Sequence, residues 1–179
     1  MKINFFLVIF ILVFFSACSS EKEDTQEMNG ASLTQSENVH FTLKFLDDKK
    51  LFVNYQDQKF DFDDNSKAKL FVFFTSWCIP CKAEIAHLNN LHRKYKDGLD
   101  IIVLFLEENK DKEILEFIQE NKITFQAGSG ENSLIFSKIL NIGSIPAMVL
   151  FDTKGQKIKE YLGLIPEEML DIDIQKVIM

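Results

Sequence analysis

Residues 77–81 read Trp77-Cys78-Ile79-Pro80-Cys81, WCIPC. Two cysteines separated by two residues can grip a metal, lock a turn, or pass electrons, and the flanking sequence bears on the choice. Upstream, Leu70–Phe74 (LFVFF) is an unbroken apolar run, the pattern of a strand buried on both faces of a sheet. Downstream, Cys81, Ile85, Leu88, His92 and Tyr95 step by three and four through residues 79–96, which predicts a helix with one inward stripe. Asp97-Gly98 ends it. The cysteines therefore stand where a buried strand turns into a helix. Unpaired backbone N–H groups at a helix N-terminus favour negative charge and lower a thiol pKa. The second sulfur comes about one turn later, within disulfide reach and deeper. Cys78 is the expected nucleophile and Cys81 the resolving thiol. Pro80 fits the first helical turn, where its missing N–H is not needed.

The other uses of such a pair fare less well. Cys78, Cys81, His87 and His92 could be counted as four zinc ligands. Yet His87 and His92 are five apart on one helix and point about 140° away from each other. They also lie well beyond Cys81, so a tetrahedral site is implausible. Lys82 rather than His follows the second cysteine, which removes the signal for covalent haem. A structural disulfide between Cys78 and Cys81 would close a tiny loop and stabilise little.

The chain has 179 residues, 46% of them hydrophobic, enough for one globular domain. Its 18 phenylalanines suit a core of buried strands. The net charge of −7 argues against nucleic acid as a partner, since phosphate binding needs clustered Lys and Arg. At the N-terminus, Lys2 is followed by the wholly apolar residues 5–15 and then by Ser16, Ala17 and Cys18. This is the layout of a secretory signal, residues 1–17, and the apolar run is short of the roughly 20 residues that span a bilayer. A cysteine after two small residues resembles the bacterial lipobox, although Phe15 stands where Leu is usual. Lipidation of Cys18 is the first expectation; an uncleaved anchor and plain secretion are its rivals. All three export the rest. With Cys18 lipidated, Cys78 and Cys81 remain as one pair. Residues 18–38 then form a polar, acidic tether with an r.m.s. span of about 25 Å, and residues 39–179 the folded domain.

Within that domain, residues 40–45 alternate and Leu51–Val53 follows a charged turn, which predicts a β-hairpin. Residues 54–68 carry no clear pattern. Strands are expected at Ile101–Leu106, Ala147–Phe151 and, as an edge, Lys157–Leu162; helices at 111–121, 132–140 and 166–177. This order describes an α/β domain with a mixed sheet.

A second motif, Ser144-Ile145-Pro146-Ala147, puts a proline just before a buried strand. Taken alone, it is most simply a trans loop proline. Together, WCIPCK and GSIPAMVLF resemble the thioredoxin fold, and the likeness runs from about residue 40 to 178. The resemblance implies a central mixed sheet flanked by helices, a cis Ile145-Pro146 bond packed near the redox disulfide, and an Ile145 backbone that pairs with substrate beside Trp77. Within that family the chain is similar to the periplasmic thiol–disulfide proteins of the TlpA/ResA type, whose WCxPCxxE pattern places an acid at Glu84. Glu84 lies on the same helix side as Cys81 and could exchange a proton with its thiol; a surface carboxylate is the plainer reading. Cytoplasmic thioredoxins carry a buried Asp six residues before the first cysteine, where Val72 stands here.

The resemblance implies a membrane-tethered thiol–disulfide oxidoreductase in the bacterial periplasm, without cofactor beyond the Cys78–Cys81 pair. Ile79-Pro80 offers no charge to stabilise a thiolate, which favours a reductase over an oxidant. The implied partners are exported proteins such as apocytochrome c, and a membrane thiol reductase as electron donor. Nothing demands an oligomer, so a monomer is expected. A thiol oxidase and a non-catalytic binding or chaperone module are the alternatives.

Overall fold

The computed structural model describes residues 38–179. The signal segment, Cys18 and the tether up to residue 37 lie outside the described residues. In chain order the elements are β1 (Val39–Lys44), β2 (Lys50–Gln56), β3 (Lys59–Phe62), β4 (Ala68–Phe74), α1 (Ile79–Tyr95), β5 (Leu99–Phe105), α2 (Asp111–Glu120), β6 (Gln126–Gly128), α3 (Glu131–Ile139), β7 (Ala147–Phe151), β8 (Lys157–Leu162) and α4 (Glu167–Ile178).

Five strands form the central sheet in the order β6-β5-β4-β7-β8. β4, β5 and β6 run parallel, while β7 and β8 are antiparallel additions. β4 lies at the centre, and its apolar run is buried along its whole length. Its alternation sorts two cores. Leu70, Val72 and Phe74 face α1, α2 and α4, against Ile85, Leu88, Leu91, Ile114, Phe117, Leu170 and Ile174. Phe71 and Phe73 face the opposite way, against α3 and a separate antiparallel sheet, β1-β2-β3. Lys69 is the polar exception on β4; its Nζ lies 3.4 Å from Asp100 Oδ2 on β5, so the buried charge is paired.

The expected mixed α/β sheet with an N-terminal hairpin is present. Two strands are additional. The region left unassigned at 54–68 holds the end of β2, a two-residue turn and β3. Asp57 and Gln58 both have positive φ in that turn, the conformation that Asn-Gly or Asp-Gly usually signals; Asp57 suits it, but Gln58 stands where glycine is usual. β6 has only three residues, too few to show alternation, and gains its identity by pairing with Ile102–Leu104. In the stripe of α1, Leu91 is buried where His92 was expected to point inward; His92 is half-buried at its flank.

A glycine lets the two sheets approach closely. Gly155, in the β7–β8 turn, has φ +72°, and a Cβ there would come 1.8 Å from the Phe60 carbonyl oxygen on β3. Only a residue without a side chain allows that approach.

Candidate active site

Everything at the site hangs on the C-terminal end of β4. After Phe74 the chain turns through Thr75 and Ser76, and the Cys78 N–H donates to the Thr75 carbonyl at 3.2 Å. Cys78 is extended (φ −76°, ψ 105°) and serves as the N-cap of α1: its Sγ accepts the Cys81 N–H at 3.2 Å. The helix start therefore directs a backbone donor at this sulfur, and no acid occupies the first turn to oppose it. Cys78 and Cys81 are joined as a disulfide, with Cα atoms 5.2 Å apart. Both are buried, Cys78 with 3% of its surface exposed and Cys81 with none. Their neighbours are the reverse: Trp77 is 71% exposed and Ile79 80%. The sulfurs thus lie recessed beside two apolar side chains that face water.

Two neighbouring strands frame this turn. On one side, the Leu106 N–H donates to the Phe74 carbonyl at 2.9 Å, extending the β4–β5 pairing past its last residue. The next residue, Glu107, turns its carboxylate onto the active-site loop. Oε1 accepts the Ser76 hydroxyl at 2.9 Å and Oε2 accepts the Ser76 N–H. Glu107 therefore anchors the residue just before Trp77. It was not anticipated from the sequence; the signal was an acid directly after a buried parallel strand, at the sheet end where α/β sites gather.

On the other side, Ala147 pairs with Phe73, which puts Pro146 at the end of β4 from which the Cys78 loop departs. The Ile145-Pro146 bond is cis. Pro146 is buried, and the half-buried Ile145 packs on the cluster that contains both cysteines. The Pro146 carbonyl accepts the Gly163 N–H at 2.8 Å, and Gly163 takes the positive φ of 79° that lets the chain turn there. Leu162 and Leu164, on either side of it, are exposed.

Glu84 follows Cys81 by one turn on the buried face of α1. It is 0% exposed, so the plain surface reading does not hold. Its Oε2 accepts the Ile165 N–H at 3.2 Å, while Oε1 is buried without a partner. Burial raises its pKa above the ordinary carboxyl range; the Ile165 N–H and His87 oppose this less strongly.

The two histidines diverge. His87 is half-buried, with Nδ1 4.0 Å from Glu84 Oε1. His92 sits at an interface, Nδ1 3.1 Å from Thr124 Oγ1 and its ring edge-on to Phe125. Burial depresses the His92 pKa. Among the described residues no three His, Cys, Asp or Glu side chains converge to hold a metal ion.

A family model described as thioredoxin-like matches residues 65–157, just over half the chain, and the chain belongs to that family. The matched span begins before β4 and takes in both motifs. The chain is similar to the thiol-disulfide oxidoreductase ResA of Bacillus cereus, 27% identical over 116 residues, which are 64% of this chain and 66% of that protein. It thus spans slightly less than two thirds of the curated relatives matched first. Among solved structures, StoA from Bacillus subtilis superposes with TM-score 0.61 at 22% identity, covering 78% of this chain and 98% of that one. The thioredoxin domain of a thiol-disulfide oxidoreductase from Bacteroides vulgatus does so with TM-score 0.62 at 17% identity, covering 82% and 99%. These structural likenesses bear out the fold expected from the sequence.

Proposed function

We propose that the chain is a thiol–disulfide oxidoreductase that works through Cys78 and Cys81, with no cofactor beyond that pair. The observation that carries this reading is the Cys78–Cys81 disulfide at the N-cap of α1, where a backbone N–H is aimed at the Cys78 sulfur. That N–H and the helix N-terminus favour the Cys78 thiolate once the pair is reduced. The similarity to proteins named thiol-disulfide oxidoreductase supports the same reaction.

In the reducing direction, the Cys78 thiolate attacks one sulfur of a substrate disulfide. A Cys78–substrate disulfide forms and the other substrate sulfur leaves as thiolate. Cys81 then gives up its proton, with the Glu84 carboxylate as acceptor, and attacks the Cys78 sulfur. The second substrate thiolate leaves, the Cys78–Cys81 bond is restored, and the two substrate thiolates take protons from water. Two electrons have passed from the cysteine pair to the substrate. Trp77 and the Ile145 backbone, beside Pro146, supply the surface on which an extended substrate chain lies.

The direction we favour is reduction, because Ile79-Pro80 places no charge next to the sulfurs that would stabilise the reduced form as strong oxidants require. Suitable substrates are disulfides of exported proteins, apocytochrome c among them, and a membrane thiol reductase would return the electrons. Lipidation of Cys18, or an uncleaved N-terminal segment, would hold a monomer at the periplasmic face of a membrane. Among the described residues no helix is long and apolar enough to cross one.

Two measurements test this. Cys78→Ser should lower disulfide reduction by on the order of a thousandfold or more, while Cys81→Ser should trap the substrate as a stable mixed disulfide. Unchanged function in the double serine variant would instead leave a binding module. Trp77 fluorescence in graded thiol buffers reads the potential: about −230 mV or below fits a reductase, and about −120 mV an oxidase.

A further inference from the structure

Glu84 presents a difficulty for the reaction just described. With no exposed surface, its carboxyl cannot trade a proton with bulk water directly. An acid that takes the Cys81 proton either keeps it until re-reduction of the pair returns Cys81 as a thiolate, or exchanges it with water. Exchange with water requires a group that connects this buried carboxyl to solvent.

Resting on the reading of Cys81 and Glu84 given above, we propose that His87 is that connection: a Glu84–His87 pair on α1 relays the proton between Cys81 and water. Three observations converge on it. Glu84 Oε1 and His87 Nδ1 are both buried and both lack a hydrogen-bond partner. They lie 4.0 Å apart, one helical turn from each other on the same face. The His87 side chain is nevertheless 41% exposed, so the ring has a buried nitrogen toward Glu84 and surface toward water.

The chemistry of the two groups fits the task. A gap of 4.0 Å is too long for a hydrogen bond, so the relay requires the His87 side chain to move toward Glu84. Two buried polar atoms facing each other without partners are unfavourable; a proton shared between them satisfies both. Imidazole accepts a proton on one ring nitrogen and releases one from the other. The relay moves only protons. Cys81 S–H breaks as Glu84 O–H forms, Glu84 O–H breaks as His87 N–H forms, and His87 releases a proton to water.

Few other charges enter. The groups bearing on the Glu84 carboxyl are the Ile165 N–H from the loop before α4 and His87 from α1 itself. Glu167, at the start of α4, is engaged by Asn90 Nδ2 at 2.9 Å. Glu84 is the acid within reach of His87 among the described residues. His87 touches no sulfur on this account. It is a positioning and relay residue that acts through Glu84.

The test uses the full chain, reduced, in detergent, with oxidised glutathione as the probe. Stopped-flow Trp77 fluorescence follows formation of the Cys78–glutathione disulfide and then its resolution by Cys81. Variants Glu84→Gln, His87→Gln and His87→Ala are compared from pH 5 to 8, each with its oxidised-state spectrum as a folding control. We expect Glu84→Gln to slow resolution about tenfold or more and to flatten its pH profile. Both His87 variants should slow the same step, by about threefold to tenfold, with the first step unchanged. Added imidazole should restore resolution in His87→Ala in a concentration-dependent way, and should leave Glu84→Gln slow. A slow Glu84→Gln beside a His87→Ala of wild-type speed, insensitive to imidazole, would overturn the relay while leaving Glu84 in its role. Resolution at wild-type speed in Glu84→Gln would remove both.

Discussion

Against one face of the central sheet, Phe60, Phe62, Phe71, Phe136 and Phe151 form a chain of rings with centroids 4.8–6.5 Å apart, many of them edge to face. Against the other face, α1 sets a disulfide, a buried carboxyl and a half-buried imidazole into a core of mixed aliphatic and aromatic side chains. The two regions share the same strands, and alternate residues of β4 serve each. What separates them is how much polarity each tolerates. The aromatic face is an apolar cluster that joins the N-terminal sheet and α3 to the central sheet, and T-shaped ring pairs add to its burial. The helical face gives up some of that stability to hold Glu84, whose second oxygen has no partner. The first face can be read as the fold's anchor and the second as the place where chemistry is admitted.

The comparison breaks most visibly at Phe136, whose ring touches Phe41, Phe60, Phe71, Phe73 and Phe151. Phe136→Ala should lower stability by about 3–5 kcal/mol, read as a drop in the denaturant midpoint. The reduction potential reported by Trp77 should stay where it is, because the cavity opens on the far side of the sheet. A potential that moved with it would show the two faces to be coupled.

A smaller effect is expected at the rim of the helical face. Asp173 on α4 is held to a pKa of about 2, first by the Lys159 ammonium at 2.6 Å, with Lys176 and the Tyr161 hydroxyl adding to it. Its folded pKa is depressed, so its contribution is present above the ordinary carboxyl range near 4 and is lost as pH falls through about 2. Asp173→Asn should cost about 1 kcal/mol at neutral pH, after allowance for screening at this rim, and almost nothing once the pH falls well below 2. Equal losses at both pH values would mean that packing rather than charge holds Asp173.

The least change is expected at Glu84, and with the opposite sign. Burial raises its folded pKa, so its contribution is fully present below the ordinary carboxyl range and is lost as pH rises through the folded value. Glu84→Gln keeps an acceptor for the Ile165 N–H and never ionises. In the oxidised chain it should match the wild type near pH 4 and exceed it near pH 8, by up to about 1 kcal/mol. A pH-independent difference would sink the reading of Glu84 as the buried titrating acid.

Much of this was legible along the chain. LFVFF, IIVLFL and AMVLF announced three buried strands, because burial on both faces leaves no room for polar alternation. The helical stripe after WCIPC announced α1, and the junction between them placed Cys78 at a helix N-terminus. The cysteines needed no partner from elsewhere in the chain, so local spacing was enough to bring them together. The turn at Asp57-Gln58 and the three residues of β6 were not legible, since each depends on a neighbouring strand to define it.

The remaining features belong to tertiary structure, for one physical reason: they are contacts between residues far apart in sequence. Glu107 reaches Ser76 because β5 lies beside β4, 31 residues away. Ile165 reaches Glu84 across 81 residues because α4 packs on α1. His87 lies three residues from Glu84, and its place on the helix was always evident. That its Nδ1 is buried while its ring still meets water was decided only when the chain closed around α1, because burial is set by everything that covers a residue.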